Sequence, residues 1–270
     1  MSIQIAKKYI EVSPVTPYPG GVLSVANVID VGDGDHALLG AEYQTNACAV
    51  GGIWDEYCYA EDQNLCEGTT PPPPVGGYKD LDEQPDFVNG DPWAVYAGVE
   101  CSRPGDLPDE AAARERLGYV ESRQVDQRVW VEVGSGADPI TGGTLLQAVA
   151  EAEDIAAQEY GGVATLLVPR GLVTCGYSND IFVWDPLEGV HKTHQGTLVA
   201  NVAVVAEEIR LTGRITLVRG PVLTQSAPEI VRPDGTCDPR RALAERPYVG
   251  LYECMKYAGP ATCGSPIPAT

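Results

Sequence analysis

His191 and His194 stand three residues apart, a spacing that on a helix would set both imidazoles on one face, as metal ligation or paired proton transfer requires. Gly189 and Gly196 bracket them and no helical period runs through the stretch, so it reads as a loop. Two histidines without further ligands or an orienting partner make a weak centre. Glu207 and Glu208 are adjacent carboxylates that serve general acid or base chemistry only where the fold supplies a partner. Glu151, Glu153 and Asp154 belong to a charged helix side, which a solvated face explains, because globular helices carry charge opposite their core stripe.

Eight cysteines are present: Cys48, Cys58, Cys66, Cys101, Cys175, Cys237, Cys254 and Cys263. None forms a C-x-x-C pair. Cys48, Cys58 and Cys66, eight to ten positions apart, are spaced more widely than the usual zinc ligand pairs. Packed small thiols are the leading reading of the set, with a metal site at those three and disulfides formed after release into oxidising surroundings as the other two. Phosphate-cradling glycines, a G-x-S-x-G elbow and an H-E-x-x-H helix are all missing from the sequence. No catalytic, cofactor-binding or metal-binding residue is therefore assigned.

The elements that would have to position any such group are more legible. Thr144 and Gln147 form the T-x-x-Q signature of a capping box, which opens a helix by satisfying two backbone donors. Leu145, Val149, Ala152 and Ala156 recur at helical spacing, Leu146 and Ile155 widen the stripe, and Gly161-Gly162 predicts the stop. Val163 to Val168, closed by Pro169, reads as a buried strand. Upstream, the acidic, proline-bearing Asp106 to Asp109 predicts the start of a long charged helix through Trp130, lying across a surface and ended by Gly134-Ser135-Gly136. Downstream, Leu198 to Ile209 alternates as one strand, Arg214 to Val218 and Pro221 to Leu223 continue as strands, and Ala242 to Gly259 reads as a closing strand.

Before the long helix the chain is irregular. Residues 1 to about 30, broken by Pro14, Pro17, Pro19 and Gly20-Gly21, read as an extended arm held by contacts with another chain, with Val22 to Val31 adding a strand to a neighbouring sheet. Trp54, Tyr57, Tyr59, Trp93 and Tyr96 lie among acids, and packing or interface contact is a commoner use of such aromatics than a carbohydrate platform. Pro71 to Pro74 favours a stiff polyproline II spacer.

At 270 residues the chain can bury a substantial core. Its 38 acidic and 18 basic side chains give a net charge of −20, which repels phosphate backbones and anionic lipid surfaces. No specific nucleic-acid binding and no membrane association are expected. No apolar run approaches the roughly 20 residues of a membrane span, and Met1 to Lys8 lacks the apolar centre of a signal peptide, so synthesis in a cytosol is expected.

In order, then, the chain runs arm, irregular loop, charged helix, Gly-rich turn, helix, core strand, polar excursion and strands. ERLGYVESRQVDQRVWVEVGSG, followed by TLLQAVAEAEDIAAQEYGGVATLLVPRGL, and later ALAERPYVGLYECMKYAGP, resemble the major capsid protein of tailed bacteriophages, the Hong Kong 97 phage-type fold shared with encapsulin shells. The resemblance covers roughly residues 105 to 260. It implies an α+β fold with an N-terminal arm at 1–40, an extended loop region and the start of a peripheral domain at 41–105, and the spine helix of that domain at 106–143. An axial domain at 144–225 and a return to the peripheral domain with a C-terminal tail at 226–270 complete it. The implied role is a non-enzymatic virion protein, made in the bacterial host cytoplasm, that self-assembles as hexamers and pentamers into an icosahedral shell around the phage genome. Scaffolding, decoration and portal proteins are the further partners it implies, and no cofactor. A minor capsid, head-tail connector or tail component is the nearest alternative, and an acidic intracellular α/β hydrolase using Glu207, Glu208 or His194 a more distant one. Because the sequence begins at Met1, removal of a leading scaffolding segment is not expected. The loop-lysine crosslink of some relatives would need Lys79 with Asn179 or Asn201, and an ordinary surface lysine is the simpler reading.

Overall fold

The computed structural model describes residues 20–44, 87–101, 110–227, 230–231, 237–238 and 240–264. The first described elements are a single helical turn, α1 (Val22–Val25), and strand β1 (Asn27–Asp30). A 3-10 turn (His36–Leu39) leads into β2 (Ala41–Gln44), which pairs antiparallel with β3 (Phe87–Gly90) as a two-stranded ribbon. Then come β4 (Pro92–Cys101), the long helix α2 (Glu110–Gly134), β5 (Asp138–Pro139), α3 (Leu145–Glu159), β6 (Thr165–Pro169) and α4 (Arg170–Ser178). The strands β7 (Phe182–Asp185), β8 (Val190–Thr193), β9 (Leu198–Val202), β10 (Glu208–Thr212), β11 (Ile215–Arg219) and β12 (Leu223–Ala227) follow. A small pair, β13 (Ile230–Val231) with β14 (Cys237–Asp238), precedes β15 (Arg240–Tyr252) and β16 (Lys256–Pro260).

Two sheets organise these strands. The seven-stranded sheet has the order β5-β16-β10-β6-β9-β8-β7. The five-stranded sheet is built on β15, which pairs with β4 on one side and, on the other, with β12 along Arg241 to Glu245 and β11 along Tyr248 to Tyr252. Pro247 falls where β15 changes partners, the one place on that side where a missing N–H costs no ladder bond. β1 extends this sheet by pairing in parallel with β11.

The central strands of the seven-stranded sheet are buried on both faces. Leu166, Val168, Val199, Ile209 and Leu211 point into a core with α3 and α4, while Leu167, Ala200 and Val202 point into a larger core with α1, α2 and the five-stranded sheet. Each fully buried Leu, Ile or Val contributes about 1.5 to 3 kcal/mol. That double burial is why β6 shows a continuous apolar run in place of alternation. No helix among the described residues is long and apolar enough to cross a membrane.

Local expectations and outcome can be compared element by element. The capping box forms: Gln147 N donates to Thr144 Oγ1 at 3.3 Å, and Thr144 N donates to Gln147 Oε1 at 3.2 Å. Residues 198 to 212, expected as one strand through Ile209, are two, because the chain leaves the sheet at 203–207 and carries Val205 into full exposure. The closing strand likewise divides into β15 and β16, which belong to different sheets. The start of the chain also differs. Val22 to Val31 is a helical turn and a strand docked on this chain's own core, with Val22 wholly buried. Residues 1–19 and 45–86, which include the remainder of the expected arm, Cys48, Cys58, Cys66, the four prolines and Lys79, lie outside the described residues.

Candidate functional site

The groups with chemistry in the sequence do not meet. His191 lies on β8 and shares a hydrogen bond between its Nδ1 and the Tyr177 hydroxyl, while burial holds its pKa below the usual imidazole value. His194 follows in the turn and bonds through Nε2 to the Asp180 carbonyl at 2.8 Å. Glu208 is on β10, ion-paired with Arg210. β9 and β6 lie between β8 and β10, so three strand spacings, roughly 14 Å, separate the two groups. Among the described residues no group of three His, Cys, Asp or Glu side chains has the arrangement to hold a metal ion. Asn179 closes α4 and Asn201 is buried on β9.

Of the α3 acids expected on a solvated face, Asp154 is exposed, while Glu151 and Glu153 are half-buried and bonded to other parts of the chain. Glu151 accepts from the backbone N–H groups of Thr141 and Gly142 and from the Thr141 hydroxyl, at 2.9 to 3.0 Å, and those donors, the Thr141 N–H foremost, hold its carboxyl below the usual range. Glu153 accepts from the hydroxyls of Thr193 and Thr197, the latter at 2.8 Å, tying α3 to the turn before β9. A concavity of about 710 Å³ beside this turn is lined by Glu153, Tyr160, Val163 and Thr197. Glu153 and Thr197 there are bonded to one another, and the Tyr160 hydroxyl donates to Glu253 and accepts from Arg214 N at 2.9 Å, while burial, ahead of Glu253, pushes the phenol up to about 12.

What the structure does concentrate is a set of joints along α2. Ala113, Leu117, Val125, Val129 and Val133 recur every fourth residue or in multiples of it, forming the buried ridge, and Glu121 occupies the missing step. There its Oε1 accepts from Arg246 Nη1 at 2.7 Å and from the Tyr248 hydroxyl at 2.6 Å, fixing the helix to β15. Tyr248 in turn stacks on Trp93 of β4, with ring centroids 4.8 Å apart.

The C-terminal turn of α2 is held by cations from two paired strands of the seven-stranded sheet. Arg210 of β10 donates to the Trp130 carbonyl and lies 4.0 Å from the centroid of the Trp130 ring. Lys256 of β16 donates to the Glu132 carbonyl at 3.2 Å. The Glu132 carbonyl is one that the helix end leaves open, and both cations place positive charge where the helix dipole is negative. Tyr252 donates to the Glu132 carboxylate, which also pairs with Arg128 at 2.6 Å.

Asp126 is the joint that sequence reasoning missed. It is fully buried, in the middle of α2, and its two oxygens accept from Val22 N at 2.8 Å and Ala203 N at 2.9 Å. One carboxylate thus binds the start of α1 and the chain leaving β9 to the long helix. Burial pushes its pKa up to about 6, opposed by the two N–H donors and by the charge of Arg170. The only sequence signal was an acid one position after a core valine in a stretch where acids are common.

No protein-family model matches the sequence, and no curated protein matches it. Solved structures do match, and they are phage-type capsid chains. Ralstonia phage GP4 capsid is similar over 99% of this chain and 98% of its own, at 11% identity and a TM-score of 0.50. The capsid of Cyanophage P-SCSP1u is similar over 97% of this chain and 94% of its own, at 8% identity and 0.50. For the capsid of the empty GTA particle the coverage is 96% of each chain, at 10% identity and 0.51. At such identities the likeness is one of fold, and the α+β fold expected from the sequence is the fold this chain has.

Proposed function

We propose that this chain is a structural shell protein, many copies of which assemble into the closed icosahedral capsid of a phage virion. The observation that carries the reading is the near-complete mutual coverage with capsid chains, so that the likeness extends over the whole fold and not over one motif of it. The engagement of Glu151, Glu153, Glu208, His191 and His194 in separate structural bonds supports a role without catalysis.

In this reading α2 is the spine of a peripheral domain over 106–143, residues 144–225 form an axial domain, and 226–270 return to the peripheral domain and end as the tail. Residues 1–40 are the arm, with 20–40 laid along the chain's own body. The 41–105 region begins and ends on described strands, and its β2–β3 ribbon is the base from which 45–86 depart and return. Many copies of the chain assemble as hexamers and pentamers in the shell, which scaffolding, decoration and portal proteins would join. The virion is its place of action and the host cytoplasm its place of synthesis.

Expression of the full chain followed by negative-stain imaging tests the reading. Large closed particles are expected. A monodisperse monomer at micromolar concentration under assembly conditions would overturn it.

A further inference from the structure

Cys175 and Cys263 are far apart in sequence and joined in the fold. Cys175 lies in α4, half-buried against the α3–α4 core, and Cys263 is exposed just past β16, with 5.9 Å between their Cα atoms and their sulfurs bonded. This Cα separation is the usual one for a disulfide. The bond closes a loop of 88 residues that contains all of β7 to β16.

Ala261 N donates to the Glu207 carbonyl at 2.9 Å, and past that residue few bonds hold the end of the described chain. Thr262 N and Oγ1 donate to the Gly143 carbonyl at 3.2 and 2.9 Å, and Leu145 N donates to the Thr262 carbonyl at 2.9 Å. Those bonds are made at the start of α3, at residues that are themselves exposed or half-buried apart from Leu145. Yet Ala261, one residue on from β16, is fully buried in the α3–α4 core. Past Ala261 the described chain has only exposed hydrogen bonds to hold it, and the cysteine pair is the covalent hold there.

We propose that the Cys175–Cys263 bond is a redox-dependent staple on the α3–α4 side of the fold, open in a reducing compartment and closed when the folded chain meets an oxidised small-molecule disulfide. The exposed Cys263 thiolate attacks one sulfur of that disulfide and expels a thiolate. The Cys175 thiolate then attacks Cys263 sulfur in the mixed disulfide and expels the second. The protein loses two electrons and two protons, and the small disulfide is reduced to two thiols. The biological timing rests on the shell reading above, in which the chain leaves the cell that made it. The chemistry does not.

The test uses the full chain, purified under reductant and divided between glutathione disulfide and a phosphine reductant. After alkylation and trypsin digestion, mass spectrometry of the oxidised sample is expected to find peptides 171–192 and 257–270 covalently linked. The oxidised protein is expected to melt about 10 °C above the reduced one, the size expected for closing a loop this long in a chain of this length. Cys254 is disulfide-bonded as well, so Cys263→Ser separates the contributions: it should remove the link and most of that gap, leaving any remainder to Cys254. Separately alkylated peptides in the oxidised sample, or a C263S protein that melts with the oxidised wild type, overturn the staple. Imaging of both samples keeps the two ideas apart. Absence of particles in either redox state counts against the shell alone, and free Cys175 and Cys263 thiols in intact oxidised particles count against the staple alone.

Discussion

Gly21 and Asp126, distant in sequence, occupy one another's space so closely that a β-carbon at residue 21 would overlap the Asp126 carboxylate. The carboxylate cannot retreat without releasing Val22 N and Ala203 N, both of which it holds within 2.9 Å. Gly21 has an ordinary extended backbone, so the demand for glycine is one of space rather than dihedral freedom. The first described segment is thereby keyed to the middle of the long helix.

Gly21→Ala is expected to destabilise the fold by about 1 to 3 kcal/mol, the usual range for forcing an atom into a packed interior. Urea unfolding measures the loss directly. An unchanged midpoint would show that the carboxylate has room to move.

The Asp126 carboxyl should make stability depend on pH in a defined direction. Its folded pKa of about 6 lies above the ordinary value of 3.8, so the folded state binds the proton more tightly. The stabilising contribution is fully present below the unfolded pKa and is lost as pH rises through about 6. Wild type relative to Asp126→Asn should therefore lose about 2 to 3 kcal/mol between pH 4 and pH 7.5. Using the difference between the two proteins cancels the repulsion from the other acids. A gap that widens with rising pH would reverse the assignment.

Glu121 is the acceptor for both Arg246 and the buried Tyr248 hydroxyl. Glu121→Ala leaves a cation and a phenol without their acceptor and should cost about 2 to 3 kcal/mol. A cost under half of this in chemical denaturation would show that water replaces the carboxylate.

Arg210 touches Glu208, the Trp130 carbonyl and the Trp130 ring at once, which a planar guanidinium can do and an ammonium cannot. Arg210→Lys is expected to lower stability by about 1 to 2 kcal/mol and to shift Trp130 emission to the red. No change in the emission spectrum would detach the ring from the joint.

Thr144→Ala removes one arm of the capping box and should cost about 1 kcal/mol. Gln147→Ala should cost less, because the Thr144 hydroxyl still accepts from the residue 147 N–H. Thermal melting of the two single variants ranks them.

Legibility followed the range of the interaction. The start of α3 could be read because Thr144 and Gln147 are three residues apart and bond to each other's backbone. β6 was visible as an apolar run bounded by turn residues. α4 was not, since Arg-Gly-Leu-Val-Thr-Cys-Gly has poor helix propensity and the helix exists because Leu172 and Val173 pack against the sheet. The break at 203–207 was hidden by continued alternation, and only the exposure of Val205 reveals it. The acids of α3 were read as solvated, while Glu151 and Glu153 reach across to Thr141, Thr193 and Thr197, whose positions no helical pattern reports.

The amino-acid sequence by itself determined the two central helices, the β6 strand, the acidic balance and the class of fold, because these show in composition or in patterns within a few turns of the chain. Tertiary structure alone decided that Asp126 is a buried clasp, that Arg210 and Lys256 close the end of α2, and that Cys175 meets Cys263. Each of those pairings joins residues dozens to more than a hundred positions apart, as Asp126 and Val22 are at 104. Nothing local in the chain distinguishes a charged side chain bound for solvent from one that a second sheet will enclose.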